Sequence, residues 1–398
     1  MSRLQESLFE GVRMTLQDSI ALTAQSLYAY ASNYKHWAVA FSGGKDSSTA
    51  ATVVADLIET GKVPRPETLT FLYADTRLEI LPLYTNAMGI LATMRERGYR
   101  TQVVLPELDD RFFVYMFGRG VPPPSNTFRW CTVQMKIEPM LKALSGLRDE
   151  RGEKFLMLTG VRLGESAARD ARIALSCGKN GAECGQGWFQ EATPEAVADT
   201  LAPILHWRVC HVWEWLTANA PGKGFSTYEI ARVYGGKEEG PENENTRTGC
   251  VGCNLASRDQ ALDNVLSIPE WSYLRPLKRL KPLYAELKKP FRRLRKDGNE
   301  RRKDGALAAN PNRLGPLTME ARWWGLQQVL DIQHEINAVA LKQGRPEINL
   351  VSIEEHNRIR DLIDANTWPH GWAGTEVTGD VPMDATIAEG VIQPLLAR

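Results

Sequence analysis

Residues 38–48 read Ala-Val-Ala-Phe-Ser-Gly-Gly-Lys-Asp-Ser-Ser. An apolar run enters two glycines and leaves into an Ala- and Val-rich segment, Ser47 to Glu59, with helical spacing. No other stretch narrows the possible folds as much. Glycines after a strand let backbone N–H groups approach an anion closely. The start of the following helix adds partial positive charge. Ser47 and Ser48 bring hydroxyls, and Lys45 a point charge. A bland alternative is a strand–turn–helix in which Asp46 or Ser47 only caps the helix. The spacing is not that of a Walker A loop, which separates Gly from Gly-Lys by four residues.

The same alternation continues around this loop. Thr68–Asp75, Thr101–Pro106 and Lys154–Gly160 read as buried strands, and Pro82–Arg97 and Met135–Leu144 as helices. Strands alternating with helices predict βαβ units and a parallel sheet. Ligands of such sheets sit beyond the carboxyl ends of the strands. That directs attention to Ser42–Ser48, Ala74–Glu79 and Gly160–Arg169. Four regions are expected: helices over 1–35, a nucleotide domain over 36–235, a cysteine-bearing loop and helical C-terminal region over 236–373, and a loosely held tail over 374–398.

Composition excludes several classes. The chain has 398 residues, 48 basic and 48 acidic. Apolar residues are 43% and charged residues 24%, a globular profile. No stretch approaches the run of apolar residues needed to span a bilayer, and the N-terminus lacks a secretory pattern. A cytoplasmic protein without membrane partners is expected. Six cysteines do not make a secreted disulfide scaffold at this length.

The loop matches the S-G-G-x-D-S pattern of the PP-loop ATP pyrophosphatases, which cut ATP between the α and β phosphates and adenylate a substrate. Further segments resemble the phosphoadenylyl-sulfate reductase-like branch of that superfamily. Tyr73-Ala-Asp75-Thr76 sits where the branch carries an Asp-Thr pair for adenine and ribose, although Arg77-Leu-Glu79 follows where a glycine is typical. Arg129-Trp-Cys131 with Lys136 resembles its Arg-x-Cys segment. Gly160-Val-Arg162-Leu-Gly-Glu165-Ser-Ala-Ala-Arg169 resembles its G-[IVM]-R-x-x-E-S-x-x-R segment. Pro203–Trp207 and Val212–Leu216 resemble a further Trp-containing pair. The likeness runs over roughly 36–255. It implies a Rossmann-like α/β fold of the adenine nucleotide alpha hydrolase-like kind, with a parallel sheet, a helical N-terminal lead and a helical C-terminal domain. It also implies ATP with Mg2+ held by Ser42, Gly43, Gly44, Lys45, Asp46, Ser47, Ser48, Asp75, Thr76, Gly160, Arg162 and Glu165. Lys45, Asp46, Arg162 and Arg169 would carry the chemistry.

Cys131, Cys177, Cys184, Cys210, Cys250 and Cys253 are the full set. Cys250 and Cys253, beside Gly249 and Gly252, form a chelating C-x-x-C pair. Zinc and iron–sulfur clusters both use such pairs. No second pair or nearby His accompanies it, which suits a [4Fe-4S] cluster better than zinc. Cys131 matches the upstream cysteine of the resembled family. The fourth ligand is Cys184 or Cys177, or one iron is left open. Cys210, His206 and His211 read as structural.

A sulfonucleotide reductase carries a catalytic cysteine near its C-terminus, whereas the last cysteine here is Cys253. Thr246-Arg-Thr-Gly-Cys-Val-Gly-Cys253 instead resembles the DNA phosphorothioation proteins of the DndC and SspD type. That resemblance implies a cysteine desulfurase and other phosphorothioation subunits as partners. Residues 288–303 concentrate nine basic side chains against Asp297 and Glu300. They read as a solvated helix face or as a contact to DNA phosphates. Three activities are carried forward: adenylation of DNA for sulfur insertion, sulfur transfer to tRNA or a sulfonucleotide, and an ATP-binding scaffold for a desulfurase.

Overall fold

The computed structural model describes residues 14–164, 170, 182–183, 188–190, 197–235, 249–256, 258–380, 384–387 and 391–394. They fall into two compact units. One comprises 1–106, 132–251 and 258–272, and the other 107–131, 252–257 and 273–398.

The first unit is built on a seven-stranded sheet. Helix α1 (Leu16–Ser26) opens with Thr15 and Asp18 in a reciprocal capping box. Strand β1 (His36–Phe41) and helix α2 (Lys45–Glu59) follow. Next come β2 (Thr68–Ala74), α3 (Leu81–Glu96), β3 (Arg100–Val104), α4 (Glu138–Arg151) and β4 (Phe155–Leu158). Strands β5 (Ala182–Glu183), β6 (Trp188–Gln190) and β7 (Ala198–Ala202) complete the sheet. Helices α5 (Val209–Glu214), α6 (Tyr228–Val233) and α7 (Gln260–Ser267) lie later in the chain.

The order is β3-β2-β1-β4-β7-β6-β5. Neighbours from β3 to β7 run parallel, as the alternation predicts. At the far edge β6 pairs antiparallel with β7, and β5 with β6, so the sheet is mixed and not wholly parallel. Order reverses at β1, which has β2 on one side and β4 on the other. That switch point brings the segments after β1 and β4 together beyond the sheet.

Strand β1 is buried along nearly its whole length, which accounts for its unbroken apolar run. Ala38, Leu72, Val104, Leu144, Leu147 and Phe155 form one core cluster beneath the sheet. Helix α2 is buried on almost every side, from Lys45 to Ile58. Its Ala, Ser and Thr residues permit that close approach. The Thr49 and Thr52 hydroxyls donate to the Lys45 and Ser48 carbonyls at 2.9 and 2.7 Å, so neither is stranded. Trp215 and Trp207 are buried, and their indole N–H groups donate to Thr52 and Thr23. His211 contacts Ser19 and the Met14 carbonyl, and His206 the Ser19 carbonyl, as structural histidines do. Cys210, read from sequence as core, is exposed: it sits in the first turn of α5, whose inner face is His211 and Val212.

The second unit is helical around a small antiparallel sheet. It contains α8 (Leu280–Leu287), β8 (Arg293–Arg295), β9 (Leu314–Leu317), α9 (Met319–Gln343), α10 (Ile353–Asp364) and β10 (Val377–Thr378), and a hairpin of β11 (Asp384–Ile387) and β12 (Val391–Pro394). Strand order is β10-β8-β9. The basic stretch 288–303 is therefore not a helix face. Helix α8 stops at Leu287, Pro290 opens a short 3-10 turn over Pro290–Arg292, and Arg293–Arg295 then run as a strand with Leu294 and Arg295 buried. Within 374–398, Val377 and Thr378 pair with Arg295 and Leu294.

Arg322 on α9 is fully buried. Its guanidinium donates to the carbonyls of Phe117, Gly118 and Thr367. Burial pushes its pKa down to about 10. Among the described residues no helix is long and apolar enough to cross a membrane.

Candidate functional site

The segment between β1 and α2 forms one wall of a cavity of about 450 Å³. Gly43 has φ +72°, and a side chain there would meet Ala87 at 2.8 Å. Only glycine makes this turn without strain. Gly44 is the residue before the helix and has no side chain to cap it. The first amides of α2 therefore keep their donors for an outside acceptor. Tyr234 takes one of them, its hydroxyl accepting from Lys45 N at 3.3 Å. The loop is braced from within: Ser42 N donates to Ser47 Oγ at 3.2 Å, the two serine hydroxyls lie 3.0 Å apart, and Ser47 Oγ donates to the Gly44 carbonyl. Ser48 Oγ is buried with no hydrogen-bond partner among the described residues. A buried hydroxyl in that state, at the start of a helix, suits a bound oxyanion.

Gly160 and Val161, just after β4, supply another wall. A Cβ on Gly160 would stand 2.7 Å from the backbone C and O of Asp46 and from Ser47 N. The chain after β4 thus lies directly against the first turn of α2. Two residues on, Arg162 is 5% exposed, and its Nε donates to Asp46 Oδ1 at 2.6 Å. Its Nη1 donates to the Trp207 carbonyl at 3.1 Å. Lys45 Nζ stands 3.3 Å from Asp46 Oδ2 and lies over the Tyr234 ring at 5.0 Å from its centroid. Lys136, Met140 and Tyr234 also line the cavity. Asp46 is thus shared between two cations and orients both. With Lys136, positive charge exceeds negative in a half-enclosed space, as a polyphosphate requires.

Asp75 and Thr76 follow β2, next to β1 in the sheet. Both bond within their own turn. Asp75 Oδ1 accepts from Arg77 N at 2.8 Å, and Thr76 Oγ1 donates to Glu79 Oε1 at 2.7 Å. Thr76 Oγ1 also lies 3.8 Å from Cys250 Sγ, and Val251 N donates to the Leu78 carbonyl at 2.7 Å, so Cys250 is held beside this turn. Arg77 makes the turn at φ +62°, rare for a residue with a side chain.

Sequence reasoning singled out neither Glu79 nor Tyr234 as a site residue. Glu79 Oε2 is buried without a hydrogen-bond partner among the described residues. Burial holds its carboxyl above the ordinary carboxylate range, against the opposing pull of the Thr76 hydrogen bond. The folded chain therefore binds this proton more tightly than the unfolded chain, and the stabilisation is present below the unfolded value of 4.5 and lost as pH rises through the folded value. Glu79→Gln is expected to melt higher than the parent at pH 8, with the gap closing towards pH 4.5. Thermal denaturation across that range measures it, and a gap independent of pH would contradict the assignment.

The structure brings Ser42, Gly43, Gly44, Lys45, Asp46, Ser47, Ser48, Gly160 and Arg162 into one site. Glu165, Arg169, Cys177 and Cys184 lie outside the described residues. Cys131, Cys210, Cys250 and Cys253 form no disulfide. Cys250 and Cys253 span a tight turn in which Gly252 has φ +67°. Among the described residues no three His, Cys, Asp or Glu side chains converge to hold a metal. The described residues therefore do not by themselves complete the ligand set of a cluster.

Residues 36–221 match the model of the phosphoadenosine phosphosulfate reductase domain. The uncharacterized protein MJ0973 of Methanocaldococcus jannaschii is 25% identical over 187 residues, 46% of this chain and 37% of that protein. The chain spans less than two fifths of the length of the curated relatives it matches. Among solved structures, the phosphoadenylyl-sulfate reductase of Candida auris in its phosphate complex aligns over 57% of this chain and 95% of its own, at 11% identity and a TM-score of 0.34. The U34-tRNA thiolase NcsA of Methanococcus maripaludis, with its [4Fe-4S] cluster, aligns over 68% and 78% at 14% identity and a TM-score of 0.35. The matched segment contains the strand–loop–helix, Gly160 and Arg162, so the family match and the site coincide on the same residues.

Proposed function

We propose that this chain is an ATP pyrophosphatase that activates a DNA backbone phosphate for sulfur insertion. The observation that carries the nucleotide half of this reading is the group of buried Lys45, half-buried Asp46 and buried Arg162 at the start of α2, beside a Ser48 hydroxyl without a hydrogen-bond partner among the described residues. The amides of the loop and the Ser47 and Ser48 hydroxyls receive the phosphates of Mg2+–ATP. Lys45 and Arg162 offset the negative charge that gathers on the β-phosphate as pyrophosphate departs. Asp46 keeps both cations aimed. A non-bridging oxygen of the DNA phosphodiester attacks the α-phosphorus, the bond to the β-phosphate oxygen breaks, and pyrophosphate leaves. Sulfur at the sulfide level then displaces AMP from the DNA phosphorus.

The DNA acceptor, a cysteine desulfurase as sulfur source and other phosphorothioation subunits follow from the motif around Cys250 and Cys253. The same motif makes Cys131, Cys184, Cys250 and Cys253 the thiolates to be tested for a [4Fe-4S] cluster. Glu165 and Arg169 are proposed as nucleotide or substrate contacts, and Asp75 and Thr76 as adenosine contacts.

Pyrophosphate release is the first test. Lys45→Ala is expected to lower it by roughly 10²-fold, the scale of losing one preorganised charge-stabilising donor. Unchanged release would remove the site assignment. Mass spectrometry of nuclease digests tests the acceptor: sulfur in DNA linkages supports it, and sulfur found only in tRNA nucleosides overturns it. Anaerobic purification giving a brown protein with broad visible absorbance supports the cluster, and a colourless zinc protein refutes it.

A further inference from the structure

The second unit holds a cavity of its own, about 520 Å³ in volume, on its small sheet. Its charged lining residues are Lys288, Arg293 and Arg313, and no carboxylate lines it. Arg313 is already bound to Glu300 by paired hydrogen bonds. Arg293 spends Nε and one terminal nitrogen on the Gly315 carbonyl, and its other terminal nitrogen has no partner among the described residues. The Lys288 ammonium has no ion pair or hydrogen bond there either. Burial and the neighbouring Arg293 hold Lys288 below the usual lysine range. Two cations side by side without a counter-ion call for an anion from outside.

The remaining walls are largely aromatic and proline. Tyr115, Phe128 and Trp372 line the cavity. Phe128 closes a tight turn through reciprocal hydrogen bonds with Ser125, and three prolines precede that turn. It is 46% exposed and has no ring partner among the described residues. A rigid turn that displays a phenyl ring beside two uncompensated cations combines a stacking surface with a phosphate site. The size falls within the range of small-molecule pockets.

We propose that this cavity binds one unstacked nucleotide of a nucleic-acid strand, its base on Phe128 and its phosphodiester at Lys288 and Arg293. The inference rests on the nucleic-acid reading of the acceptor above, and adds to it the element that grips the strand.

Fluorescence anisotropy with labelled dT12 and U12 on the full chain tests it. Phe128→Ala is expected to weaken binding about tenfold, the scale of one lost base stack. Lys288→Gln should reduce the slope of log affinity against log salt by about 0.7. Both variants should bind ATP with the parent's affinity when no nucleic acid is present. Affinity unchanged in both variants overturns the proposal. So does equal competition by inorganic polyphosphate, which would leave only a charged patch. If sulfur enters DNA while both variants bind normally, the pocket fails and the acceptor reading survives. If no sulfur enters DNA while Phe128→Ala still loses oligonucleotide binding, the acceptor reading fails and the pocket survives.

Discussion

Gly160→Ala is expected to cut the proposed pyrophosphate release by about 10²-fold or more, although only one methyl group is added. The new Cβ would lie 2.7 Å from backbone atoms of Asp46 and Ser47, which cannot rotate aside as a side chain could. Helix α2 cannot retreat, because it is buried along almost its whole length. The chain after β4 must therefore move outward, carrying Arg162 away from Asp46. Overpacking of this kind costs about 1–3 kcal/mol, so the variant should still fold, with a lowered melting temperature. The site loses more than the fold does, because a displacement near 1 Å is enough to misalign reacting groups. Titration calorimetry with ATP and a pyrophosphate-release assay measure the effect. Parent-like turnover would show that the first turn of α2 is not the phosphate site.

Replacing Arg322 by leucine is expected to give the largest loss of stability, about 3–5 kcal/mol by urea denaturation, since buried carbonyls without donors cost about 1–3 kcal/mol each. Leucine restores part of the volume and none of the donors. The Phe117 and Gly118 carbonyls end the wide helical turn Val114–Gly118, where partial negative charge collects and a cation is favoured. Arg322 closes that turn and ties it to the Thr367 carbonyl in one step. Arg322→Lys should recover part of the loss, because an ammonium keeps the charge but cannot span the same three acceptors. A change within about 0.5 kcal/mol for the leucine variant would mean that water or a shifted backbone replaces the guanidinium.

What sequence reasoning reached depended on whether the signal was local. The runs at His36–Phe41 and Thr68–Ala74 are strands buried on both faces, so their apolar continuity carried the parallel sheet directly. Gly43 was legible because a positive φ demands that residue type. Gly160 was legible as part of a motif, but its reason, contact with the backbone of Asp46, appears only in three dimensions. Tyr234 was not legible, because it reaches the loop from a position 189 residues along the chain. Glu79 sits between Leu78 and Ile80, both buried, and that apolar setting was its one available clue. The basic stretch was misleading in form. Its charges suggested a helix face, while the chain makes a 3-10 turn at Pro290–Arg292 and then a strand whose Leu294 and Arg295 are both buried. Arg322 carried no signal: in a helix pattern an arginine among apolar residues looks like a surface position.

Tyr234 changes how binding at the loop has to be understood. Its hydroxyl rests on the first amide of α2, so a phosphate oxygen that claims this amide takes it from a phenol. Nucleotide capture, as proposed for this loop, is then a substitution between two acceptors. Its heat is the difference between them, and its selectivity against weak anions is set by what the phenol already supplies. An acetate-strength acceptor gains little from the exchange, whereas a polyphosphate that also reaches Lys45, Ser48 and Arg162 gains at several points at once.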